Sequence, residues 1–224
     1  EKCMVSVYVS LDGINTLHDK IHGVQGAFGR VSETINQLQQ LQKLVPFNFS
    51  ARCTVQPLNM YDLLPVLHFA RHIELPLCFV PLNTSSVFMK NREQKESLTF
   101  TQTNYRDLNN IFVRDIFPHL PNSNRMFWED FFQNIGGDKR KLPCHMQRYY
   151  VNLETDGSLR LCDADSSLIL GNCLEIKPDK LWFSKNARKL RKTIRTRYCS
   201  KCTIAGNEAF SLSREFFYFV KKFK

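Results

Sequence analysis

No stretch of the 224 residues holds about 18 uninterrupted apolar positions, which excludes a membrane-crossing helix. Acidic residues are scarce beside basic ones, 21 against 31, and the formal net charge is +10. That excess suits an anionic partner without identifying one. Glycine and proline number nine each, and no internal repeat or low-complexity run occurs, which excludes collagen-like and solenoid chains. No histidine pair carries the adjacent glutamate of the H-E-x-x-H metalloprotease motif. His18 and His22 are four apart, but Asp19 follows His18 instead; His119 and His145 stand alone, and His68 and His72, also four apart, read as packing on one helix. Cysteine is also too sparse for a disulfide scaffold in a chain this long, yet eight exceed what packing alone usually places. No basic-then-apolar signal segment opens the chain, so the cysteines read as reduced thiols in a cytoplasmic protein, available to metal. The first residue is Glu1, which suggests a chain that begins inside a longer one or a processed start.

Against these absences stands an ordinary globular balance, 43% apolar and 23% charged residues with 18 phenylalanines. Residues 5–11 are β-branched and apolar, as are 47–55 and 77–82, which predicts three buried strands. Between them, Val31, Ile35, Leu38 and Leu41 recur at helical spacing. A second helix is expected over 60–73, with Pro65 in its first turn or kinking it. Strand, helix, strand, helix, strand predicts βαβ units and a parallel sheet. Residues 90–103 are polar and read as a loop, followed by Phe-rich helices over 104–118 and 123–135. Thr155-Asp156-Gly157 signals a hairpin, 179–197 a basic helix, and the tail puts Phe216, Phe219, Val220 and Phe223 on one helical face.

Four cysteines fall in the second half as C-x17-C-x36-C-x2-C: Cys144, Cys162, Cys199 and Cys202. The C-x-x-C pair can put two thiolates on one centre, and the first pair brackets the hairpin, whose ends lie close together. Four thiolates suit tetrahedral zinc or a cubane iron–sulfur cluster. Cys3, Cys53 and Cys78 lie on or beside predicted strands and read as buried packing residues. Cys173 reads as a spare thiol or a reserve ligand.

At these residues the sequence resembles the radical S-adenosylmethionine (SAM) enzymes that carry a C-terminal SPASM or twitch domain. Cys144, twelve residues, Gly157, four residues and Cys162 match the C-x(9–15)-G-x4-C signature of those domains. Ile169-Leu170-Gly171-Asn172, Leu181-Trp182 and Cys199-x-x-Cys202 continue it. Independently, Val9-Ser10-Leu11-Asp12-Gly13, His18-Asp19 and Gly23-Val24-Gln25-Gly26-Ala27-Phe28 look like the fourth strand and following loop of the radical SAM barrel. The resemblance implies an α/β fold. Residues 1–92 would be the C-terminal half of a (β/α) barrel, 93–143 a helical linker region, and 144–224 an α+β auxiliary-cluster domain with a C-terminal helix.

The resemblance also implies roles. Cys144, Cys162, Cys199 and Cys202 would hold one auxiliary [4Fe–4S] cluster, since no cysteine follows position 202 to serve a second. Ser10, Arg52 and Asn59 would contact SAM, a hydroxyl bonding the ribose or amino group and a guanidinium pairing with the carboxylate. Asp163, next to Cys162, would accept a proton from the substrate. The family's C-x3-C-x2-C motif, whose cluster cleaves SAM to a 5′-deoxyadenosyl radical, is absent from residues 1–224, so the chain as it stands should not cleave SAM. The expected partners are a peptide or small-molecule substrate and an electron donor. Eight cations and no acid in residues 181–202 supply the alternative, a four-cysteine zinc module whose basic helix binds nucleic acid.

Overall fold

A computed structural model describes residues 5–85, 87, 97–142, 144, 146 and 150–202. Cys3, His145 and the amphipathic tail expected beyond position 215 lie outside the described residues. The chain divides into two compact units. The first holds the described residues to Leu82 and those from 97 to Leu120; the second holds 83–85, 87 and those from Pro121 onward. The helices expected as one linker region are thereby divided, one joining each unit.

In the first unit, strands β1 (Ser6–Ser10), β2 (Asn48–Val55) and β3 (Leu77–Pro81) form a parallel sheet in that order, as the alternation of strand and helix predicted. Strand β2 alternates strictly. Phe49, Ala51, Cys53 and Val55 are buried on one face, with Ser50, Arg52 and Thr54 half-buried on the other. Helices α2 (Ala27–Gln42) and α3 (Leu63–His72) pack on the sheet through buried Ile35 and through Leu63, Val66, Leu67 and Ala70. Pro65 sits in the first turn of α3, where its missing N–H interrupts no helical bond. A short helix, α1 (Thr16–His22), occupies part of what read as a loop, because seven residues are too few to show an apolar period.

The helix expected over 104–118 is not uniform. Helix α4 (Gln102–Ile111) opens on a reciprocal capping box between Thr101 and Asn104, then widens into a π-helical turn over Phe112–Ile116 and tightens into a 3-10 turn over Phe117–His119. Phe112, Ile116 and Phe117 are all buried, and the Phe112 ring meets Phe79 edge-on at 6.0 Å between centroids and Phe117 at 5.7 Å. Phe112 and Ile116, four apart, would share a face in a regular α-helix, and the change of pitch brings Phe117 to the same core side.

The second unit contains helix α5 (Asn122–Ile135), with Phe127, Trp128 and Phe131 buried, and an antiparallel sheet of β4 (Asn152–Leu153), β5 (Ser158–Arg160) and β6 (Ile169–Asn172). Strands β4 and β5 are the expected hairpin, with Asn152 opposite Arg160. Gly157 turns it in a left-handed conformation (φ 85°). A Cβ there would lie 2.7 Å from both Asn172 Oδ1 and Leu174 Cγ, so only glycine fits the turn. The expected basic helix is two: α6 (Pro178–Trp182) and α7 (Lys185–Arg197). They part at Ser184, whose hydroxyl accepts from the N–H of Ala187 at 3.0 Å and starts the second. The core of this sheet is small: Leu159, Leu161, Leu168, Leu170, Leu181, Ala187 and Ile194. Among the described residues no helix is long and apolar enough to cross a membrane.

Candidate metal centre

Three segments of the second unit carry the four cysteines. Cys144 follows the loop after α5. Cys162 leaves the end of β5, next to buried Leu161. Cys199 opens a 3-10 turn (Cys199–Lys201) directly beyond α7, and Cys202 closes it, its N–H bonding back to the Cys199 carbonyl. All four are half-buried, and among the described residues none is in a disulfide. The Cys162 thiol is pushed up to about 12, first by burial, and further by the neighbouring Cys202, Cys144 and Cys199; the Ala164 N–H acts the other way. Cys199 is pushed up to about 11, again by burial first, then by Cys144 and Cys202, while Arg140 and Arg195 oppose the rise. The mutual influence puts the four sulfurs in one electrostatic neighbourhood. Among the described residues no group of His, Cys, Asp or Glu has the arrangement that grips a metal ion. Cys173 follows β6, its N–H donating to the Gly157 carbonyl at 2.8 Å, and it packs against the same apolar core as Cys162 and Cys199.

Asp163 is anchored rather than loose. Its Oδ1 accepts from Asn152 Nδ2 at 2.6 Å and from Arg160 Nη2 at 3.1 Å, and Arg160 also pairs with Glu154. The carboxylate beside Cys162 is thus fixed by strands β4 and β5. Asp165, two residues on, takes the turn-capping role, accepting from the Ser167 N–H and hydroxyl; those bonds, with one from Tyr198, hold its carboxyl below the usual range. Cys202 lines an open cleft of about 260 Å³, together with Ser85, Ala164, Arg197, Tyr198 and Lys201.

The residues expected to meet SAM lie in the first unit. Ser10 and Arg52 are cross-strand partners at the carboxyl end of β1, on the polar face of the sheet, with Cys78 beside Arg52 on β3. The Arg52 guanidinium lies over the Tyr8 ring at 4.0 Å. Asn59 is fully buried. It donates to the carbonyls of Asp12 (2.8 Å) and Thr54 (2.9 Å) and accepts from the Gln56 N–H (2.9 Å). Its side chain is spent on joining the loops that leave β1 and β2.

Asp12 went unnamed as a site residue in the sequence because a turn-ending Asp is commonplace. It is 5% exposed, accepts from the Thr54 N–H on the adjacent strand, and faces His22 Nε2 at 3.0 Å. His22 in turn stacks on buried His18 at 4.2 Å. The His18-Asp19 pair of the family-like block also acquires a structural role: Asp19 accepts from the N–H groups of Gly26 and Phe28 and shapes the turn into α2.

Comparison with known proteins agrees with the cysteine spacing. Residues 144–203 match the SPASM family, an iron–sulfur cluster-binding domain. No curated protein matches the chain significantly in sequence. Among solved structures, anSMEcpe, an anaerobic sulfatase-maturating radical SAM enzyme, is similar in two complexes. With bound AdoMet and Kp18Cys peptide it is 16% identical, the match covering 88% of this chain and 59% of that one, with a TM-score of 0.53. With AdoMet and Cp18Cys peptide it is again 16% identical, over 96% of this chain and 67% of that one, with a TM-score of 0.54. At that identity the likeness is one of fold, and the chain spans roughly three-fifths to two-thirds of the neighbour's length. The chain resembles a radical SAM enzyme with a SPASM domain.

Proposed function

We propose that the chain is the C-terminal part of a radical SAM enzyme that modifies a peptide or small metabolite, with one auxiliary [4Fe–4S] cluster on Cys144, Cys162, Cys199 and Cys202. The observation that carries this reading is the match of residues 144–203, the segment that holds all four cysteines, to the SPASM iron–sulfur family; the influence of Cys144, Cys199 and Cys202 on the Cys162 thiol supports it. Each thiolate of a cubane binds a different iron, so the four ligands spread wider than those of a single zinc ion. When bound, the cluster would supply one-electron transfer at the second unit.

The chain's own residues would do the rest. Ser10 and Arg52, in register on the polar sheet face, offer a hydroxyl and a guanidinium to the ribose and carboxylate of SAM. Asn59 holds the loops behind them in place. Asp163, oriented by Asn152 and Arg160, is the candidate proton acceptor for a substrate in the neighbouring cleft. The peptide bound by anSMEcpe supports a peptide as substrate, and an electron donor would complete the set.

Anaerobic reconstitution with iron and sulfide tests the centre. The expected product is brown, with broad visible absorption and about four irons per chain. Alanine at any of the four cysteines should release most of that iron, while Cys173→Ala should retain it. A colourless protein holding one zinc would overturn the reading in favour of the zinc module. Residues 1–224 contain no C-x3-C-x2-C, and a cluster with four thiolate ligands leaves no iron open to SAM. Chromatography after incubation with dithionite and SAM should therefore find no 5′-deoxyadenosine, and its formation would contradict the proposal.

A further inference from the structure

Lys139-Arg140-Lys141 is a short basic run shortly after Gly136-Gly137. In the structure the two lysines are exposed and the Arg140 side chain is 3% exposed. A guanidinium taken out of water is expensive unless something anionic or richly hydrogen-bonding surrounds it. Arg140 Nε donates to the Leu142 carbonyl at 3.2 Å and Nη1 to the Cys202 carbonyl at 3.3 Å. Its own N–H donates to the Ser200 carbonyl at 3.0 Å, and Asn134 of α5 reaches that same carbonyl at 3.0 Å. The middle and end of the C-x-x-C turn are therefore tied to the α5 segment by three bonds.

Asp130, 8% exposed on α5, is the counter-charge, but it stands 3.9 Å from Arg140 Nε. Its Oδ1 instead accepts from the N–H groups of Lys141 (2.6 Å) and Leu142 (3.3 Å), two residues short of Cys144. That geometry does two things. It fixes the approach to Cys144 through Asp130 and the Cys199–Cys202 turn through Arg140. It also brings the guanidinium charge to bear on Cys199.

We infer that Arg140, held by Asp130, is a positioning residue for the cluster proposed above. It locks the Cys144 and Cys199–Cys202 segments into one ligand set, and its buried charge stabilises the more negative, reduced form. The inference rests on the cluster reading. Net charge and hydrogen bonding around an iron–sulfur centre set its potential, and residues outside the ligand set commonly change metal affinity by about 10–100-fold.

Three variants of the reconstituted full chain separate charge from geometry. Arg140→Gln should lower the midpoint potential and speed iron loss to a chelator about tenfold or more. Arg140→Lys keeps the charge and loses the fork, so iron loss should quicken while the potential stays closer to that of the parent. Asp130→Asn removes the counter-charge and should raise the potential. A purely structural pair would shift neither potential in opposite directions. In the chain before reconstitution, Arg140→Gln should also quicken hydrogen exchange across residues 199–202, a readout that needs no cluster. If the parent takes up a cluster and Arg140→Gln matches it in both potential and iron retention, the inference fails. Potentials of Arg140→Gln and Asp130→Asn that move in the same direction also overturn its charge component. If the parent takes up no iron, the cluster reading fails and this inference falls with it.

Discussion

Strand β2 of the first unit runs eight residues and buries every second side chain, whereas the three strands described in the second unit have two, three and four. The first unit covers its sheet with α2 and α3 and closes on Phe79, Phe112 and Phe117. Around its small sheet the second has seven buried residues, one an alanine, and against them lie half-buried Cys162, Cys173 and Cys199. Apolar burial of the first kind stabilises at roughly 25 cal/mol per Å² and needs no ligand. A small core with thiols at its rim is the construction that a metal completes, because ligation links segments that packing alone holds weakly. The same residue type thus has opposite meanings. Cys53, fully buried on β2, is core; its thiol is pushed well up by burial first and then by Asp12 and by Cys78 on the adjacent strand, whereas Cys162 is influenced by three thiols from distant segments and Cys199 by two.

The sharpest way to break this contrast is to exchange one cysteine in each unit. Cys162→Ala should cost most of the iron and, with it, the stability that binding adds to the second unit, since a ligand bound only by the folded state stabilises it by mass action. Cys53→Ala removes one buried heavy atom and should cost about 1 kcal/mol, with iron content unchanged. Trp128 and Trp182 both lie in the second unit, so tryptophan fluorescence follows that unit while hydrogen exchange across residues 48–55 follows the first. Equal loss of iron in both variants would show that the two kinds of cysteine are not distinct.

A smaller effect is expected within the first unit. Asn59→Ala would strip the Gln56 N–H and the Asp12 and Thr54 carbonyls of their partner. Each buried group left unsatisfied costs about 1–3 kcal/mol, although water can enter the vacated space. Faster exchange across 48–55 with unaltered tryptophan fluorescence would confine the loss to this unit. If Asn59 acted chiefly by touching SAM, the variant would weaken SAM binding and leave exchange untouched.

Much of this was legible in the sequence because it rests on period and spacing. β2 alternates strictly, α2 repeats at three and four, and Gly157 stands where the hairpin requires a left-handed residue, which explains its place in the cysteine signature. What was illegible depends on partners far along the chain. Nothing local distinguishes Arg140 from Lys139 and Lys141, since its burial depends on carbonyls at 200 and 202 and on Asp130. The family resemblance implies a SAM contact for Asn59, and nothing local announces its structural bonds. Its bond to the Asp12 carbonyl, 47 residues away, became visible only in three dimensions. The change of pitch at Phe112 likewise answers to tertiary packing, which no helical period announces.

The smallest expected effect is a pH dependence of the first unit alone. His18 is 2% exposed, and its Nδ1 faces the Asp12 N–H at 3.3 Å, so that nitrogen accepts and the ring is neutral with its proton on Nε2. Burial first, and the stacked His22 ring second, lower its pKa from 6.5; Asp12 and Asp19 act the other way and keep the effect modest. A histidine whose pKa is depressed by folding binds its proton more readily when unfolded. Its contribution to stability is therefore complete above about pH 6.5 and is lost as the pH falls through the lower, folded value. Protonation would also place a donor against the Asp12 N–H. Exchange across 48–55 should quicken between pH 7 and pH 5 after correction for the intrinsic pH dependence of exchange. His18→Asn, which retains an acceptor near the Nδ1 position without a titrating ring, should flatten that change. An undiminished pH dependence in His18→Asn would show that His18 is not its origin.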